Sequence, residues 1–266
     1  METYIVDSFT NEAFKGNPAG VCVLSEAISE ELMLKIAQEL NLSETAFIQQ
    51  KDTKNQYSIR YFSPVMEIPL CGHATLASAK VLFENALLNE IHFTTFQNVH
   101  LITKKVNDGI VMEFPVYETV PAKVSSALLD ALGLKEITNC EYNSENNILL
   151  LEISSKEVLQ KLTPNFEVLV KTHDSINGVL VTASSNDEYD FHSRYFWPWS
   201  GSNEDPVTGV THTFLTKYWS KRLNKTNMKS FQVSKRTGFM NVELTENNKL
   251  LIKSNAVIVF KGNFIL

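Results

Sequence analysis

The sequence predicts an α/β protein made of two similar domains, each with strands and apolar helices. Two matching segments support this prediction: Arg60-Tyr-Phe-Ser-Pro64, and Arg-Tyr-Phe-Trp-Pro at 194–198, which begins 134 residues later in a chain of 266. Each segment has the aromatic and apolar residues of a strand that ends at proline, and a loop whose glycine opens an apolar helix follows. Repetition at half the chain length is expected when one unit of about 130 residues is used twice.

The other elements follow from hydrophobic periodicity and from capping and turn residues. Ser29 caps a helix that ends at Asn41, and Gly133 ends a helix over 124–132. The helix over 72–84 is apolar on most of its circumference, which is typical of a buried helix. A short helix is expected at 154–162, and a second apolar helix opens at Asp205–Gly209. Turns are expected at Gly16-Asn17-Pro18 and Asn107-Asp-Gly109. Strands are expected after Asn41-Leu-Ser-Glu44 and at 3–9, 19–24, 92–104, 109–117, 147–153, 179–183, 189–196, 229–234, 239–244, 249–253 and 256–260.

Composition excludes several classes of function. The chain is 44% hydrophobic and 20% charged, as in an ordinary globular protein that buries two good cores. A net charge of −6 without a basic block argues against a nucleic-acid partner. The start, Met1-Glu-Thr-Tyr4, lacks the regions of a signal peptide, and no apolar run approaches the roughly 20 residues that span a bilayer. We therefore expect a cytoplasmic protein without a membrane partner.

The three cysteines, Cys22, Cys71 and Cys140, are odd in number and form no CxxC motif, so the sequence signals neither a disulfide framework nor a zinc site. Cys22 lies in an apolar run and is interpreted as a core residue. Cys71 immediately precedes a glycine at a helix start. It is either a packing residue or a reactive thiol whose pKa the helix N-terminus lowers.

Three polar residues are candidates for chemistry, each with a structural alternative. The repeat offset pairs Glu44 with Gly178, so a carboxylate stands in one half only, as a single acid–base group would; the alternative is an exposed acid at a helix–strand junction. His73 is a site residue or a capping or core histidine. Asp205 precedes the second helix, where acidic residues cap helices, and a cap can also face a ligand.

The two glycine-led helix openings, at Gly72 and Gly209, are candidate anion sites. Backbone N–H groups in the first turn of a helix lack partners within the helix, and glycine allows a ligand to approach them closely. Because the repeat places both openings in equivalent loops, we expect each to face a cleft between the domains.

Five motifs occur in order along the chain: Asp7-Ser-Phe-Thr with Gly16-Asn-Pro-Ala19, Asn41-Leu-Ser-Glu44-Thr, Cys71-Gly-His-Ala-Thr75, Glu204-Asp-Pro-Val-Thr-Gly209, and Gln232-x-Ser-x-Arg236. Together they resemble the phenazine-biosynthesis isomerase (PhzF-like) family over essentially the full length. The resemblance implies the diaminopimelate-epimerase-like fold, in which each of two α/β domains is a curved mixed sheet around a central helix. The domains are expected at 1–118 and 119–255, with the final residues returning to the first.

The resemblance also implies a function. It implies an isomerase that moves a proton between carbons of a small carboxylic acid, without a metal or other cofactor, and a homodimer. The residues carried over are Glu44 as the general acid–base, His73 and Asp205 as its polar neighbours, and Asn17, Gly72, Gly209 and Val210 as substrate-binding residues. One departure is Gly209-Val-Thr-His212, where the family often has Gly-Ser-Ala-His. A low-dielectric cleft is expected to favour the protonated form of Glu44.

Two other functions stay open at this point. Related racemases and epimerases use two cysteines, one at each helix opening; Cys71 occupies the first, but Asp205-Pro-Val-Thr-Gly209 contains none. A non-catalytic binding protein that retains the cleft is the other alternative. Trp197, Trp199 and Trp219 are interpreted as surface aromatics that either cover a dimer interface or, for the first two, line the substrate pocket.

Overall fold

The computed structural model describes residues 1–107 and 109–265, which form a mixed α+β fold. The helices are α1 (Glu30–Leu40), α2 (Gly72–Asn85), α3 (Ser126–Leu132), α4 (Lys156–Lys161), α5 (Phe166–Leu169) and α6 (His212–Leu223). The strands are β1 (Glu2–Ser8), β2 (Asn17–Leu24), β3 (Glu44–Gln50), β4 (Gln56–Phe62), β5 (Glu67–Ile68), β6 (Glu90–Thr95), β7 (His100–Val106), β8 (Gly109–Pro115), β9 (Val120–Pro121), β10 (Asn139–Asn143), β11 (Ile148–Glu152), β12 (Gly178–Ser184), β13 (Phe191–Trp197), β14 (Ser202–Asp205), β15 (Asn227–Gln232), β16 (Gly238–Leu244), β17 (Lys249–Ser254) and β18 (Ala256–Asn263).

The chain divides into two compact units. Unit 1 comprises Met1–Glu113 and Leu251–Leu266, and unit 2 comprises Phe114–Leu250. In unit 1, β1 lies antiparallel between β18 and β2, β2 runs parallel to β3, and β3 runs antiparallel to β4. Strand β4 pairs in parallel with β6 and antiparallel with the short β5. Each parallel pair needs a crossover, and α1 and α2 supply them.

Unit 2 repeats this order of strands. Strand β10 runs antiparallel to β11, β11 parallel to β12, and β12 antiparallel to β13. Strand β13 then pairs in parallel with β15 and antiparallel with the short β14. Helix α6 occupies the crossover between β13 and β15, as α2 does between β4 and β6. The strand order therefore supports one structural unit used twice.

The residue register confirms the 134-residue repeat. Thr45 pairs with Phe62 across β3 and β4, and Val179 pairs with Phe196 across β12 and β13. Both members of the second pair lie 134 residues after those of the first. On this register Glu44, the first residue of β3, corresponds to Gly178, the first residue of β12.

An arginine–glutamate pair marks the same place in each unit. Arg60 donates from Nε and Nη2 to Glu67 at 2.7 and 2.6 Å, and Arg194 donates in the same way to Glu204 at 2.7 and 2.8 Å. Two parallel hydrogen bonds fix the planes of both groups and so tie β5 to β4 and β14 to β13. Aligning the two glutamates aligns the following segments, Ile68-Pro-Leu-Cys-Gly-His73 and Asp205-Pro-Val-Thr-Gly-Val210.

Helix α2 is the central element of unit 1. Ten of its fourteen residues are buried, and it packs against β1, β2, β3 and β18. Small residues such as Ala74, Ala77 and Ser78 let the surrounding strands approach closely. The prediction of a helix buried on most of its circumference is confirmed, and so is the helix capped by Ser29, whose hydroxyl accepts a bond from Leu32 N.

Some elements differ from the sequence-based predictions. The strand expected over 92–104 is two strands, β6 and β7, because Asn98 adopts a left-handed conformation (φ 61°) that reverses the chain. The second glycine-led helix begins at His212 rather than at Gly209, since the preceding residues form a turn in which His212 N bonds Gly209 O. Asp108, in the turn predicted at 107–109, lies outside the described residues.

In residues 1–107 and 109–265, no helix is long and apolar enough to cross a membrane.

We expect Gly178→Ala to destabilise the protein. A Cβ atom at Gly178 would lie 2.6 Å from the Tyr195 side chain and 2.7 Å from the Phe196 carbonyl oxygen, which is backbone and cannot rotate away. Overpacking of this kind lowers the free energy of unfolding by about 1–3 kcal/mol. Urea denaturation measures the loss, with Ser184→Ala, an exposed position at the other end of β12, as the control. Equal stability of both variants would contradict the close packing.

Candidate active site

Three predicted residues meet in unit 1: Glu44, His73 and Cys71. His73 Nε2 lies 3.2 Å from Glu44 Oε2, and His73 Nδ1 lies 3.3 Å from Cys71 Sγ. The side chains of His73 and Glu44 are only 10% and 12% exposed. The imidazole therefore bridges a carboxylate and a thiol, with one ring nitrogen facing each.

The packing of α2 against β3 explains why these three side chains lie together. Glu44 begins β3, Cys71 is the N-cap residue of α2, and α2 packs against β3. Two hydroxyl groups tie down the first turn of the helix: Ser8 Oγ donates to the His73 carbonyl at 2.8 Å, and Thr75 Oγ1 donates to the Cys71 carbonyl at 2.7 Å. Ser8 and Thr75 are positioning residues that were not predicted, although they lie within the motifs Asp7-Ser-Phe-Thr and Cys71-Gly-His-Ala-Thr75.

The carboxylate and the imidazole favour opposite charges. Burial alone raises the pKa of Glu44, but the hydrogen bond and charge of His73 outweigh it, so the pKa of Glu44 lies below its usual value. Burial alone lowers the pKa of His73, but Cys71 and Glu44 beside the ring hold it well above 6.5. The expectation that the site favours protonated Glu44 is therefore wrong, because a proton on His73 compensates the carboxylate.

Cys71 differs from the activated thiol considered above. Burial raises the pKa of this thiol; the neighbouring His73 lowers it and the Glu44 charge raises it again, and the balance lies above the usual value. Of the two interpretations of Cys71, the reactive thiol with a lowered pKa is therefore wrong, because loss of water around the sulfur raises the pKa more than its neighbours lower it. The protonated thiol is the favoured form beside His73.

The start of α2 leaves donors available next to this cluster. Within the described part of the chain, the N–H groups of Gly72 and His73 have no hydrogen-bond acceptor, whereas Thr75 N bonds the Cys71 carbonyl. Such N–H groups, at the positive end of a helix, suit a carboxylate.

A metal fits this cluster less well than proton transfer does. One oxygen, one sulfur and one nitrogen from Glu44, Cys71 and His73 lie within 4.8 Å of one another, and zinc accepts all three donors. His73 Nε2 lies 3.2 Å from Glu44 Oε2 and 3.9 Å from Cys71 Sγ. A cysteine binds a metal as the thiolate, however, and burial favours the protonated form of Cys71.

Asn17 lies close to the cluster through the backbone. It is buried at the start of β2 and pairs with Ser8, the residue that holds the His73 carbonyl. The preceding Gly16 has φ 68°, and a Cβ there would lie 2.0 Å from the Ser8 carbonyl oxygen, so this tight turn requires glycine.

Unit 2 holds the other predicted site residues, Asp205, Gly209 and Val210. Thr208 Oγ1 donates a short hydrogen bond to Asp205 Oδ2. Val210 is 44% exposed, and no acceptor in residues 1–107 and 109–265 binds the N–H groups of Gly209 or Val210. The segment before α6 therefore presents free N–H donors, although Gly209 lies three residues before the first residue of the helix.

The aromatic residues near the second repeat segment are held within unit 2. The Trp199 indole N–H bonds the carbonyls of Val170 and His173, both at 2.9 Å, and the ring packs against the core. Trp219 is 1% exposed and stacks on Phe191. The interpretation of Trp219 as a surface residue is wrong, because its side of α6 faces the core. The homodimer itself stays a prediction.

Comparison with known proteins identifies relatives over the whole chain. The family model described as PhzC-PhzF, phenazine biosynthesis-like protein, matches residues 6–262. A protein of Halalkalibacterium halodurans named as an uncharacterized isomerase is 40% identical, with 99% of this chain and 98% of that protein aligned. The crystal structure of a PhzF family protein from Enterococcus faecalis superposes with a TM-score of 0.92 at 40% identity, covering 100% of this chain and 99% of that one.

A more distant solved structure shares the fold. A hydroxyproline epimerase from Agrobacterium vitis superposes with a TM-score of 0.58 at 10% identity, over 98% of this chain and 91% of that chain. The epimerase-like fold that the sequence resemblance implied, with two α/β domains, is thus confirmed.

We expect Glu44→Gln to lower the pKa of His73. The substitution removes a negative charge that raises this pKa and leaves the burial that lowers it, so the value falls. NMR titration of the His73 ring resonances measures the shift, and Glu84→Gln, on the exposed side of α2, should leave it unchanged. An unaltered His73 pKa in Glu44→Gln would show that the two groups do not interact.

Proposed function

The chain belongs to the PhzC-PhzF family of phenazine biosynthesis-like proteins, and on that premise we propose that it is a cofactor-independent isomerase that moves a proton between two carbons of a small carboxylic acid. One observation carries the proposal: a buried carboxylate, Glu44, contacts an imidazole, His73, beside free helix N–H groups. Positioned carboxylates and imidazoles are common general acid–base groups.

Glu44 acts first as a base. Its carboxylate takes a proton from a carbon next to a double bond, and the C–H electron pair forms a new double bond as the existing one shifts. The carboxyl group, whose proton exchanges with solvent, then delivers a proton to the carbon at the far end of the shifted bond. One C–H bond is broken and one is made, so no oxidant or reductant is needed.

His73 keeps Glu44 ready for this cycle. Its Nε2 lies 3.2 Å from the carboxylate, and the positive charge of the protonated ring stabilises the form that accepts a proton. Cys71, 3.3 Å from Nδ1, fixes the rotation of the same ring. Removing His73 therefore lowers the fraction of reactive carboxylate, whereas Cys71 contributes mainly to orientation.

In unit 1 the free N–H groups of Gly72 and His73, beside Glu44, bind a substrate carboxylate. In unit 2 the N–H groups of Gly209 and Val210 form a second carboxylate-binding opening. We assign Asp205, held in one orientation by Thr208, as the polar side chain of that opening. Binding through backbone donors selects the carboxylate and leaves the rest of the substrate to the loops.

A two-thiol racemase is the weaker alternative. In the alignment of the two units, Cys71 corresponds to Thr208 and not to a second cysteine. Cys140, the single cysteine of unit 2, lies in β10, away from the opening of α6 in sequence. A proton relay between two thiols therefore lacks its second member.

Incubation in deuterated water tests the proposal. A panel of small unsaturated and amino-bearing carboxylic acids is mixed with the protein, and proton and deuterium NMR follow carbon-bound deuterium. We expect at least one acid to gain deuterium at two carbons as its double bond moves. Binding of an acid without exchange would instead support a non-catalytic binding protein, and exchange at a single stereocentre would support a racemase.

We predict that Cys71→Ser keeps activity within about tenfold of wild type, because serine retains a donor beside His73 and the thiol takes no proton from the substrate. The rate of deuterium incorporation into the acid found with the panel measures this effect. Cys22→Ser, a buried cysteine away from the cluster, is the matched control for loss of a buried thiol. A loss of a thousandfold or more in a folded Cys71→Ser protein would favour thiol chemistry.

A further inference from the structure

We propose that Gln232 is a positioning residue that holds the loop Asp205–Thr208 open, so that the N–H groups of Gly209 and Val210 stay available to a carboxylate. The inference rests on the proposed function of this opening in binding a substrate carboxylate. It concerns unit 2 alone and gives a role to part of the Gln232-x-Ser-x-Arg236 motif.

The amide of Gln232 bonds both ends of the loop. Its Nε2 donates to the Asp205 carbonyl at 2.7 Å and to Thr208 Oγ1 at 3.2 Å, and its Oε1 accepts from Thr208 N at 3.0 Å. Gln232 is 2% exposed, and a buried amide without partners would be strongly unfavourable. The three bonds therefore fix the side chain and the loop together.

These bonds replace the usual hydrogen bond of a turn. With proline second, Asp205-Pro-Val-Thr208 has the sequence of a β-turn, in which the carbonyl of the first residue accepts from the N–H of the fourth. Here the amide of Gln232 stands between those two groups and bonds each of them. The loop is therefore wider than a closed turn, and Gln232 determines its width.

Two neighbours complete the support. Ser234 Oγ donates to the Pro206 carbonyl at 2.6 Å, and His212 Nδ1 lies 2.9 Å from the Thr208 carbonyl. Burial lowers the pKa of His212 to about 4, so the ring is neutral and its Nδ1 proton bonds that carbonyl. The carbonyls of Asp205, Pro206 and Thr208 are thus all turned towards buried side chains.

The position in unit 1 that corresponds to Gln232 holds no glutamine. Gln232 pairs with Ser193, and the equivalent pair in unit 1 is Thr95 with Ile59. Thr95 Oγ1 bonds Val99 N instead of the loop before α2. A cavity of about 150 Å³ lies there, lined by Ile68, Pro69 and Thr95 among others. The glutamine is therefore a feature of the second opening and is not required by the repeated fold.

Acetate titration tests the inference without any enzyme assay. Amide resonances of Gly209 and Val210 are followed in the labelled full-length protein as sodium acetate is added. We expect them to shift in wild type, and we expect Gln232→Met, which keeps the length but removes the hydrogen bonds, to bind acetate at least tenfold more weakly. Thr216→Val, which removes a buried hydroxyl without a partner in the described chain, should bind as wild type. Equal affinity of Gln232→Met and wild type would overturn the inference.

Gln232→Glu gives a second test if the methionine variant does not fold. A charged carboxylate cannot donate to the Asp205 carbonyl, but a protonated one can, while its other oxygen still accepts from Thr208 N. The acetate affinity of this variant relative to wild type should therefore recover as the pH falls. A ratio independent of pH would count against a role through these hydrogen bonds.

Turnover separates this inference from the proposed function. If the protein exchanges deuterium into an acid, we expect Gln232→Met to raise KM at least tenfold and to change kcat less, as loss of binding does. Activity in wild type with no acetate response at Gly209 and Val210 would overturn the role of this opening and leave the isomerase intact. An acetate response that depends on Gln232, in a protein without activity, would support the positioning role and contradict the isomerase.

Discussion

The contact of His73 with Glu44 on one side and Cys71 on the other is the interaction on which the site depends. It exists because a buried helix, α2, brings its first turn against β3, and because Ser8 and Thr75 hold the carbonyls of that turn. Burial would neutralise either ionised group alone, whereas the pair keeps opposite charges. The packing of α2 against β3 therefore determines both where His73 and Glu44 lie and which charges they carry.

A duplicated scaffold carries different chemistry in its two halves. Both units have the same strand pairing, the same two-bond arginine–glutamate pair and a glycine at the opening of the helix that follows. Their reactive positions differ, and Tyr195 fills the space at Gly178 where a side chain would begin. The corresponding pairs, unit 1 first, are Glu44 and Gly178, Ile68 and Asp205, Cys71 and Thr208, and His73 and Val210. Both openings thus keep free backbone N–H groups, whereas a carboxylate and an imidazole stand at these positions in unit 1 and not in unit 2.

The sequence predicted what local patterns determine. The repeated segments gave the register of β4 and β13, and the apolar stretch after Gly72 predicted a buried helix. Features that depend on residues distant in the sequence were not predicted. The pKa of Cys71 follows from burial rather than from its helix position, and the partners of Gln232 lie more than twenty residues earlier in the chain. The residues next to a side chain in the sequence do not show which distant residues it contacts in the fold.

The most direct test of the account compares deuterium incorporation by wild type and Glu44→Gln. The amide has nearly the same volume but carries no transferable proton at neutral pH, so we predict that the rate falls at least about a hundredfold while the acid still binds. Glu84→Gln, which removes an exposed carboxylate of unit 1, should exchange at the wild-type rate. Exchange by a folded Glu44→Gln protein at the wild-type rate would contradict the assignment of Glu44 as the proton carrier.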